Sequence, residues 1–476
     1  MWFSFLTWSI LVIYALLIIT TTTVVLLENR QPAKTVAWII VLVLLPVVGL
    51  IIFYFFGQNI RKERYIGRRS YERLTREMLK EANYCPPSLY QPKYERLIRF
   101  NERKNKAVLT AGNEVHLLTS GREWVLSLLH EFARARHHIH LQTYIIEDDA
   151  VGRLIADALT DCARRGVEVR LLYDDVGCWN VPRRFFDRLA AEGIHVRPFL
   201  PVRFPSLTHR ANYRNHRKLC VIDGTTGYVG GMNLAMRYMN EGNFPWRDMH
   251  LCIRGEAVGG LQRIFTADWC FTCNELLSEA CYFPTSPHSE VCRRGALIQI
   301  IAATPVAHYP EIMYGLTWII QNCSRYLYIQ TPYFMPSDTV LQALQTAALS
   351  GVDVRIMIPE KPDSRLLRWG NDSYFEDALR AGIRLYVFRG GFLHAKCAVA
   401  DDDWCTVGST NMDSRSFDNN FEANAFIYDR AVAESVRDGF LRDMKHCRAV
   451  DLAQWRKRPI YKKYLESITR IFSPIL

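Results

Sequence analysis

The chain opens on two long runs without a charged side chain, Trp2 to Leu27 and Thr35 to Phe56. Each is long enough to cross about 30 Å of hydrocarbon as a helix, so the pattern predicts a two-helix transmembrane hairpin over residues 1–57, with Pro46 kinking the second helix. The turn between the runs carries Arg30 and Lys34, whereas Arg61, Lys62, Arg64, Arg68 and Arg69 crowd the exit of the second. That asymmetry places the exit on the cytoplasmic side and predicts a multi-pass protein of the cell (inner or plasma) membrane. A cleaved signal peptide fits the first run poorly, because it lacks a basic leader and a second span follows. Residues 58–110 read as a basic juxtamembrane connector, where Arg73, Arg76, Lys80, Lys93, Arg96, Arg99, Arg103, Lys104 and Lys106 alternate with Tyr, Leu and Phe. Such a stretch suits either a solvated helix surface or contact with anionic headgroups.

Beyond the connector the chain repeats itself. His140-Leu-Gln-Thr-Tyr-Ile-Ile matches Tyr328-Ile-Gln-Thr-Pro-Tyr-Phe, Arg165-Gly-Val-Glu-Val-Arg-Leu matches Ser350-Gly-Val-Asp-Val-Arg-Ile, and Ala191-Glu-Gly-Ile-His-Val matches Arg380-Ala-Gly-Ile-Arg-Leu. Apolar helical spacing over Val151 to Leu159 and over Val340 to Leu344 separates strand-like runs, so each half reads strand, helix, strand, helix, strand and then a hairpin. The prediction is an α/β fold of two pseudo-twofold-related domains, each a mixed sheet flanked by helices, over 111–275 and 276–446. A basic segment, 447–476, follows. Within it Tyr461, Tyr464, Leu465, Ile468 and Phe472 recur at helical spacing, which suits a membrane interface or a helix packed on the catalytic body.

The hairpins carry the chemistry. His-x-Lys-x-x-x-x-Asp occurs as His216-Arg-Lys218-Leu-Cys-Val-Ile-Asp223 and as His394-Ala-Lys396-Cys-Ala-Val-Ala-Asp401, each followed at the same distance by Gly-[Gly/Ser]-x-Asn, ending at Asn233 and Asn411. In a strand, period two puts His216 with Lys218, and His394 with Lys396, on one face, while Leu219, Val221, Cys397 and Val399 point the other way. Two imidazoles, two ammonium groups and two amides then converge on one phosphodiester, one His attacking phosphorus and the other protonating the leaving alkoxide. Because each half supplies one His, the site must lie at the seam between the halves. Lys218 and Lys396 offset charge on the non-bridging oxygens and Asn233 and Asn411 donate beside them, which predicts catalysis with no metal and no cofactor. Asp223 and Asp401 complete the catalytic motif, but strand parity turns them away from His and Lys and favours a turn role.

These motifs, with Gly408-Ser-Thr-Asn411-Met-Asp-Ser-Arg415-Ser416 and Asn420-Phe-Glu422, resemble the phospholipase D superfamily, and more narrowly the bacterial cardiolipin synthases. The segment ending Pro46-Val-Val-Gly49, the phrase Gln330-Thr-Pro-Tyr-Phe334 with Pro336-Ser337, and Lys457-Arg-Pro459 with Phe472-Ser-Pro-Ile-Leu476 are similar to that family as well. The resemblance implies reversible transfer of the phosphatidyl group from one phosphatidylglycerol to another, giving cardiolipin and glycerol through a phosphohistidine. It favours His216 as nucleophile and His394 as acid and base. It implies that Glu422, 28 residues after His394, orients that ring, with Asp248, 32 residues after His216, as the first-half counterpart. Ser409 joins the expected phosphate-binding groups; the first copy has Gly231 there, which removes one hydroxyl.

Composition narrows the partners. A chain of 476 residues, 49% of them apolar, can fill two cores, and a net charge of +11 suits an anionic partner. The paired apolar runs favour an anionic membrane surface over nucleic acid, which argues against an endonuclease using the same motifs, and the resemblance implies phosphatidylglycerol and cardiolipin as the lipid partners. A phosphatidylserine synthase or hydrolytic phospholipase D is the nearer alternative, and a membrane scaffold that kept the fold a more distant one. Thirteen cysteines scattered through apolar runs fit a reducing compartment. Cys270, Cys273, Cys281, His288 and Cys292 are poorly spaced for zinc, and Glu147-Asp-Asp149 and Asp174-Asp175 read as acidic loops before they read as a Mg²⁺ site. His137, His138, His209 and His250 lack repeat partners and are expected to be structural. Arg210, Arg214 and Arg217 beside the first motif suit either headgroup guidance or a salt-bridged loop. The sequence carries no signal for an oligomeric state.

Overall fold

The computed structural model describes residues 2–27, 32–45, 47–57, 89–202, 212–239, 244–284 and 295–473. Trp2–Leu27 is one continuous helix, and within it Thr7–Leu27, of mean hydropathy 2.6, is the one stretch among the described residues long and apolar enough to cross a membrane. The second run is helical in pieces and not as one continuous helix. It forms a helix over Pro32–Leu44, breaks where Val47 takes φ 63°, and resumes as Val48–Ile52 with a π turn at Phe53–Gly57. A β-branched residue in the left-handed region cannot continue the α ladder. The segments still touch: the Tyr14 hydroxyl donates to the Leu42 carbonyl at 3.3 Å, and Val25, Trp38, Val41, Leu42 and Phe53 form a small apolar cluster. Pro46, Arg30 and the basic cluster at 61–69, on which kink and topology were argued, lie outside the described residues, as do Arg73, Arg76 and Lys80.

The body of the chain beyond the connector is built on one large sheet. Its first half contributes β1 (Thr110–Leu118), β2 (His138–Thr143), β3 (Glu168–Asp174), β4 (His195–Phe199), β5 (Arg214–Asn215), β6 (Leu219–Ile222), β7 (Thr226–Gly230), β8 (Trp246–Arg247) and β9 (His250–Arg254). The second contributes β10 (Ala296–Ala303), β11 (Tyr326–Gln330), β12 (Phe334–Met335), β13 (Asp353–Pro359), β14 (Arg384–Phe388), β15 (Phe392–Leu393), β16 (Cys397–Ala400), β17 (Trp404–Gly408), β18 (Met412–Asp413), β19 (Asn420–Ile427) and β20 (Cys447–Ala449). The strand order is β20-β14-β13-β11-β16-β17-β19-β10-β1-β9-β7-β6-β2-β3-β4, with β5 paired to β19, while β12 with β18 and β8 with β15 form two short pairs outside it. Apart from the added edge strand β20, the order reads the same outward from the central β1–β10 pair, which is the pseudo-twofold relation expected from the repeat. The expectation missed β1 and β10. They fuse the halves into a continuous sheet, antiparallel with Thr110 opposite Ile298 and Asn113 opposite Ala296.

Both faces of the sheet are covered, so period two along the motif strands does not separate core from solvent. Leu219, Val221, Cys397 and Val399 enter a core shared by the halves under the helices Val258–Cys273 and Arg430–Met444. Their alternates enter separate cores: Cys220 and Ile222 pack with Ile155 and Leu189, and Ala398 and Ala400 with Leu344 and Phe375. Burial on two faces is the pattern of strands in an α/β sandwich. The described end of the connector belongs to the second half. Its helix Glu95–Asn105 buries Leu97 and Ile98 against Leu316 and Phe426, and the Gln299 amide donates to the carbonyls of Ile98 and Ala107. Lys93 pairs with Asp403 at 2.6 Å.

The C-terminal helix Ile460–Phe472 docks on the helix Arg365–Arg380 through its polar side. Tyr374 and Ser473 share a hydroxyl hydrogen bond of 2.8 Å, and Arg470 pairs with Asp377 at 2.6 Å. Glu466 and Thr469 are buried, while Ile460, Tyr461, Tyr464, Ile468 and Ile471 face outward, and Phe472 reaches the apolar cluster of the N-terminal segments. Residues 474–476 lie outside the described residues.

Candidate active site at the seam

Two short parallel pairings position the motif histidines. β5, just before His216, pairs with the start of β19, and β15, just before His394, pairs with β8. The His216 N–H donates to the Phe421 carbonyl at 3.0 Å and the His394 N–H to the Arg247 carbonyl at 2.7 Å. Each pairing therefore sets a motif histidine beside the residue that follows in the other half, Glu422 or Asp248. His216 Nδ1 lies 3.0 Å from Glu422 Oε1, and His394 Nδ1 lies 2.6 Å from Asp248 Oδ2. This corrects the expected pairing of Glu422 with His394 and Asp248 with His216: the carboxylates are exchanged between the halves. With Nδ1 engaged, Nε2 is left to each ring for chemistry.

The motif groups are buried: His216 is 8% exposed, Lys218 1%, His394 7% and Lys396 2%. Each lysine ammonium donates to the carbonyl of its own motif histidine, Lys218 to His216 and Lys396 to His394. Burial brings the His216 imidazole down to about 4, with Glu422 opposing and the charges of Lys218 and Lys396 adding. Burial, then Lys396, Lys218 and His216, hold His394 well below its ordinary value. Charge on one motif thus bears on the histidine of the other, and the two form one electrostatic site. Burial lowers Lys396 to about 8 and Lys218 further below its usual range. The carboxylates differ. Burial raises Asp248 to about 6, whereas burial of Glu422 is outweighed by His216, Lys218 and the Ser409 hydroxyl, which hold it below the usual carboxylate range.

The remaining expected groups divide. Asp223 and Asp401 stand away from the histidines. Asp223, at φ 52°, accepts the backbone N–H groups of Arg136, His137 and His138, and Asp401, at φ 55°, those of Ser324, Arg325 and Tyr326. Each clasps its hairpin to the start of the neighbouring strand. Ser409, expected on phosphate, donates to the Glu422 carboxylate. Gly231 in the first half is explained by space: a Cβ there would lie 2.2 Å from Asp248 Oδ1. Asn233 accepts the Ile145 N–H and donates to the Tyr238 hydroxyl at 2.6 Å, so its amide is engaged by protein. Asn411, 5% exposed, has no partner for Oδ1 among the described residues.

Arg217 is 1% exposed, pairs with Asp268 and donates to the carbonyls of Glu422 and Ala303; Arg214 pairs with Asp174 at 3.4 Å. These are the salt-bridged reading of the two arginines; Arg210 lies outside the described residues. The acidic runs are engaged too: Glu147 pairs with Arg237, Asp148 with Arg153, Asp149 caps the helix Ala150–Arg164, and Asp174 accepts the N–H groups of Val176, Gly177 and Asn215. His138 contacts His137, His140 and Tyr282, and His250 stacks on Trp124 at 4.7 Å. Cys270 is buried; His209, His288 and Cys292 lie outside the described residues.

Sequence reasoning missed the rings and cations around the histidines. Tyr144 meets His216 edge-on at 5.0 Å, while Tyr238 and Trp246 lie 5.5 and 5.2 Å from His394. Arg237 and Arg415 each stand four residues after the motif asparagine, Asn233 or Asn411, a spacing that extends the repeat and was readable.

A family model described as "Cardiolipin synthase, PLD-like domain" matches residues 128–269 and 316–444, and one described as "Phospholipase_D-nuclease N-terminal" matches residues 10–58. A cardiolipin synthase of Geobacillus kaustophilus is 37% identical over 94% of this chain and 89% of its own length. One of Alkalihalophilus pseudofirmus is 35% identical over 99% of this chain and 95% of its own. Among solved structures, phosphatidylserine synthase of Haemophilus influenzae shares the fold with a TM-score of 0.59 at 14% identity, over 80% of this chain and all of that one. With two motifs meeting in one buried site and a family match over most of its length, the chain belongs to the cardiolipin synthase family of phospholipase D-like proteins.

Proposed function

We propose that the chain transfers the phosphatidyl group of one phosphatidylglycerol to the terminal hydroxyl of a second, releasing glycerol and forming cardiolipin. The observation that carries this reading is the pair of buried His-Lys units, each histidine held at Nδ1 by a carboxylate of the other half. Burial and the lysine charges favour neutral imidazoles. An entering phosphodiester anion favours the protonated form of His394 and so couples proton uptake to binding. His216 Nε2 attacks phosphorus, the bond from phosphorus to the glycerol oxygen breaks, and His394 gives its proton to that oxygen. The hydroxyl of the second phosphatidylglycerol then passes its proton to His394 and attacks phosphorus. The P–N bond breaks and His216 is restored. Like bonds are made and broken, so accumulated glycerol reverses the exchange. Lys218 and Lys396 offset charge on the non-bridging oxygens, with the Asn411 amide beside them, and on this reading no metal is needed.

The apolar Thr7–Leu27 helix supports a membrane-held enzyme whose diacyl donor stays in the bilayer, raising the local concentration of lipid acceptor over water. The basic balance of the chain supports an anionic bilayer surface as its partner, with the catalytic body on the cytoplasmic side of the cell membrane. The test is incubation of the purified full chain with phosphatidylglycerol alone, in the presence of a chelator, followed by separation of the lipids. Cardiolipin plus glycerol is expected. Phosphatidic acid plus glycerol would make it a hydrolase, and no change with phosphatidylglycerol would refute the reading. Under the same conditions, a His394→Ala variant should accumulate a phosphatidyl adduct on protein. An adduct that builds up in His216→Ala instead reverses the assignment of the two rings.

A further inference from the structure

The pseudo-twofold repeat presents a matched pair of arginines, and the structure uses them differently. Arg415, after Asn411, donates from both terminal nitrogens to Asn212, to its side-chain oxygen at 2.9 Å and its backbone carbonyl at 3.0 Å. It holds the approach to the first motif. Arg237, after Asn233, lies over the two rings that flank His394: its guanidinium carbon is 5.0 Å from the centre of Trp246 and 5.9 Å from that of Tyr238. Cation and imidazole thus share the same two aromatic walls. Arg237 pairs with Glu147 at 2.7 Å, both side chains about one-third exposed, and its Nε has no hydrogen-bond partner among the described residues. A partly exposed ion pair of this kind is weak and readily exchanged for another anion.

We propose that Arg237 binds the phosphodiester of the acceptor lipid and is the residue that selects a lipid over an uncharged alcohol. The inference rests on the transfer reaction argued above. In that reaction the acceptor hydroxyl gives its proton to His394, so the acceptor headgroup must lie on the His394 side. Its own phosphate sits a glycerol's three carbons away from that hydroxyl. Arg237 is the guanidinium positioned there, behind the rings that His394 touches, and it exchanges Glu147 for the phosphate in a forked, charge-assisted contact. Glu147 does not leave the site. Anchored by its N–H to the Leu234 carbonyl at 3.0 Å, it remains beside Arg237 as a competitor of the phosphate. Arg415, tied to Asn212, offers no equivalent contact on the His216 side. That difference breaks the symmetry between two nearly identical motifs and gives donor and acceptor separate sides.

Competition between acceptors tests this. The full chain is supplied with phosphatidylglycerol and labelled glycerol together, and the partition between cardiolipin and labelled phosphatidylglycerol is measured. Both products require the same attack on phosphorus and the same His394 proton transfer, but only one acceptor carries a phosphate. In Arg237→Gln the partition should fall about tenfold or more against cardiolipin, the scale of one lost charged hydrogen bond, whatever the change in total turnover. Arg237→Lys should recover part of the loss, and Glu147→Gln should shift the partition toward cardiolipin. If both products fall together in a folded Arg237→Gln, Arg237 positions His394 and the proposal fails. If the partition stays within about twofold, it fails as well. Should Arg237→Gln not fold, an unchanged partition in Glu147→Gln overturns the proposal. A wild-type protein that forms neither product refutes the transfer reading itself, and is told apart from these outcomes by that arm alone.

Discussion

At the scale of single residues, two histidines with the same motif around them have unlike carboxylates, and the difference is measurable. Glu422 is kept ionised by His216, Lys218 and Ser409, while burial lifts Asp248 to about 6. Below that pH, Asp248 takes a proton and no longer holds the His394 Nδ1–H as an anion. Above about 8, Lys396 loses the charge it needs against phosphate. The working form has Asp248 and both lysines charged, so kcat/KM should follow a bell with an acid limb near pH 6 and a basic limb no higher than about pH 8, since Lys218 is also held well below its ordinary value. Asp248→Asn should remove the acid limb and cost about 10²–10⁴-fold in rate, whereas Glu422→Gln should cost a similar amount and leave that limb in place. A flat wild-type profile from pH 5 to 9, or an acid limb that disappears only in Glu422→Gln, would contradict the assignment.

At the scale of elements, the motif is a hairpin with two different ends. The His-x-Lys end opens into the seam, and the Asp end is a left-handed turn whose carboxylate gathers three backbone N–H groups of the adjoining chain. Aspartate tolerates positive φ better than most side chains and accepts through two oxygens, which suits it to this turn. Asp223→Ala should therefore lower stability by about 1–3 kcal/mol, read as a drop in thermal midpoint, with kcat of the folded protein within about twofold of wild type. Loss of kcat at unchanged stability would return Asp223 to the catalytic set. The pairings β5–β19 and β8–β15 are the other elements that matter, since two residues of strand in each set a histidine against its carboxylate.

At the scale of the whole molecule, the halves are joined by a continuous sheet and by charge buried across the seam. Arg217 of the first motif pairs with Asp268 and donates to Glu422 and Ala303 of the second half. Removing one partner of a buried pair leaves an uncompensated charge, so Arg217→Met should cost about 3–5 kcal/mol. With β1 and β10 hydrogen-bonded at the centre, the loss should lower one transition shared by both halves in a denaturant titration of the detergent-solubilised chain. Two separated transitions would show that the halves are independent bodies.

Much of this was legible along the chain because local patterns carry it. The strand-helix alternation, the repeat, both His-Lys pairs and the parity that set Asp223 and Asp401 apart all follow from periodicity, which any single stretch records. At the N-terminus freedom from charge measures length but not continuity, so the break at Val47 within the second run was not legible. Which carboxylate serves which histidine could not be read, since Glu422 lies 206 residues from the ring it holds and Asp248 lies 146 from its own. The same holds for the unequal use of Arg237 and Arg415, identical in spacing and distinguished only by what packs around them. By itself the sequence determined the two half-sites, because chemistry and alternation are local properties. Only the tertiary structure decided how they interlock, because the exchange of partners arises from strand pairing between segments that are distant in the chain.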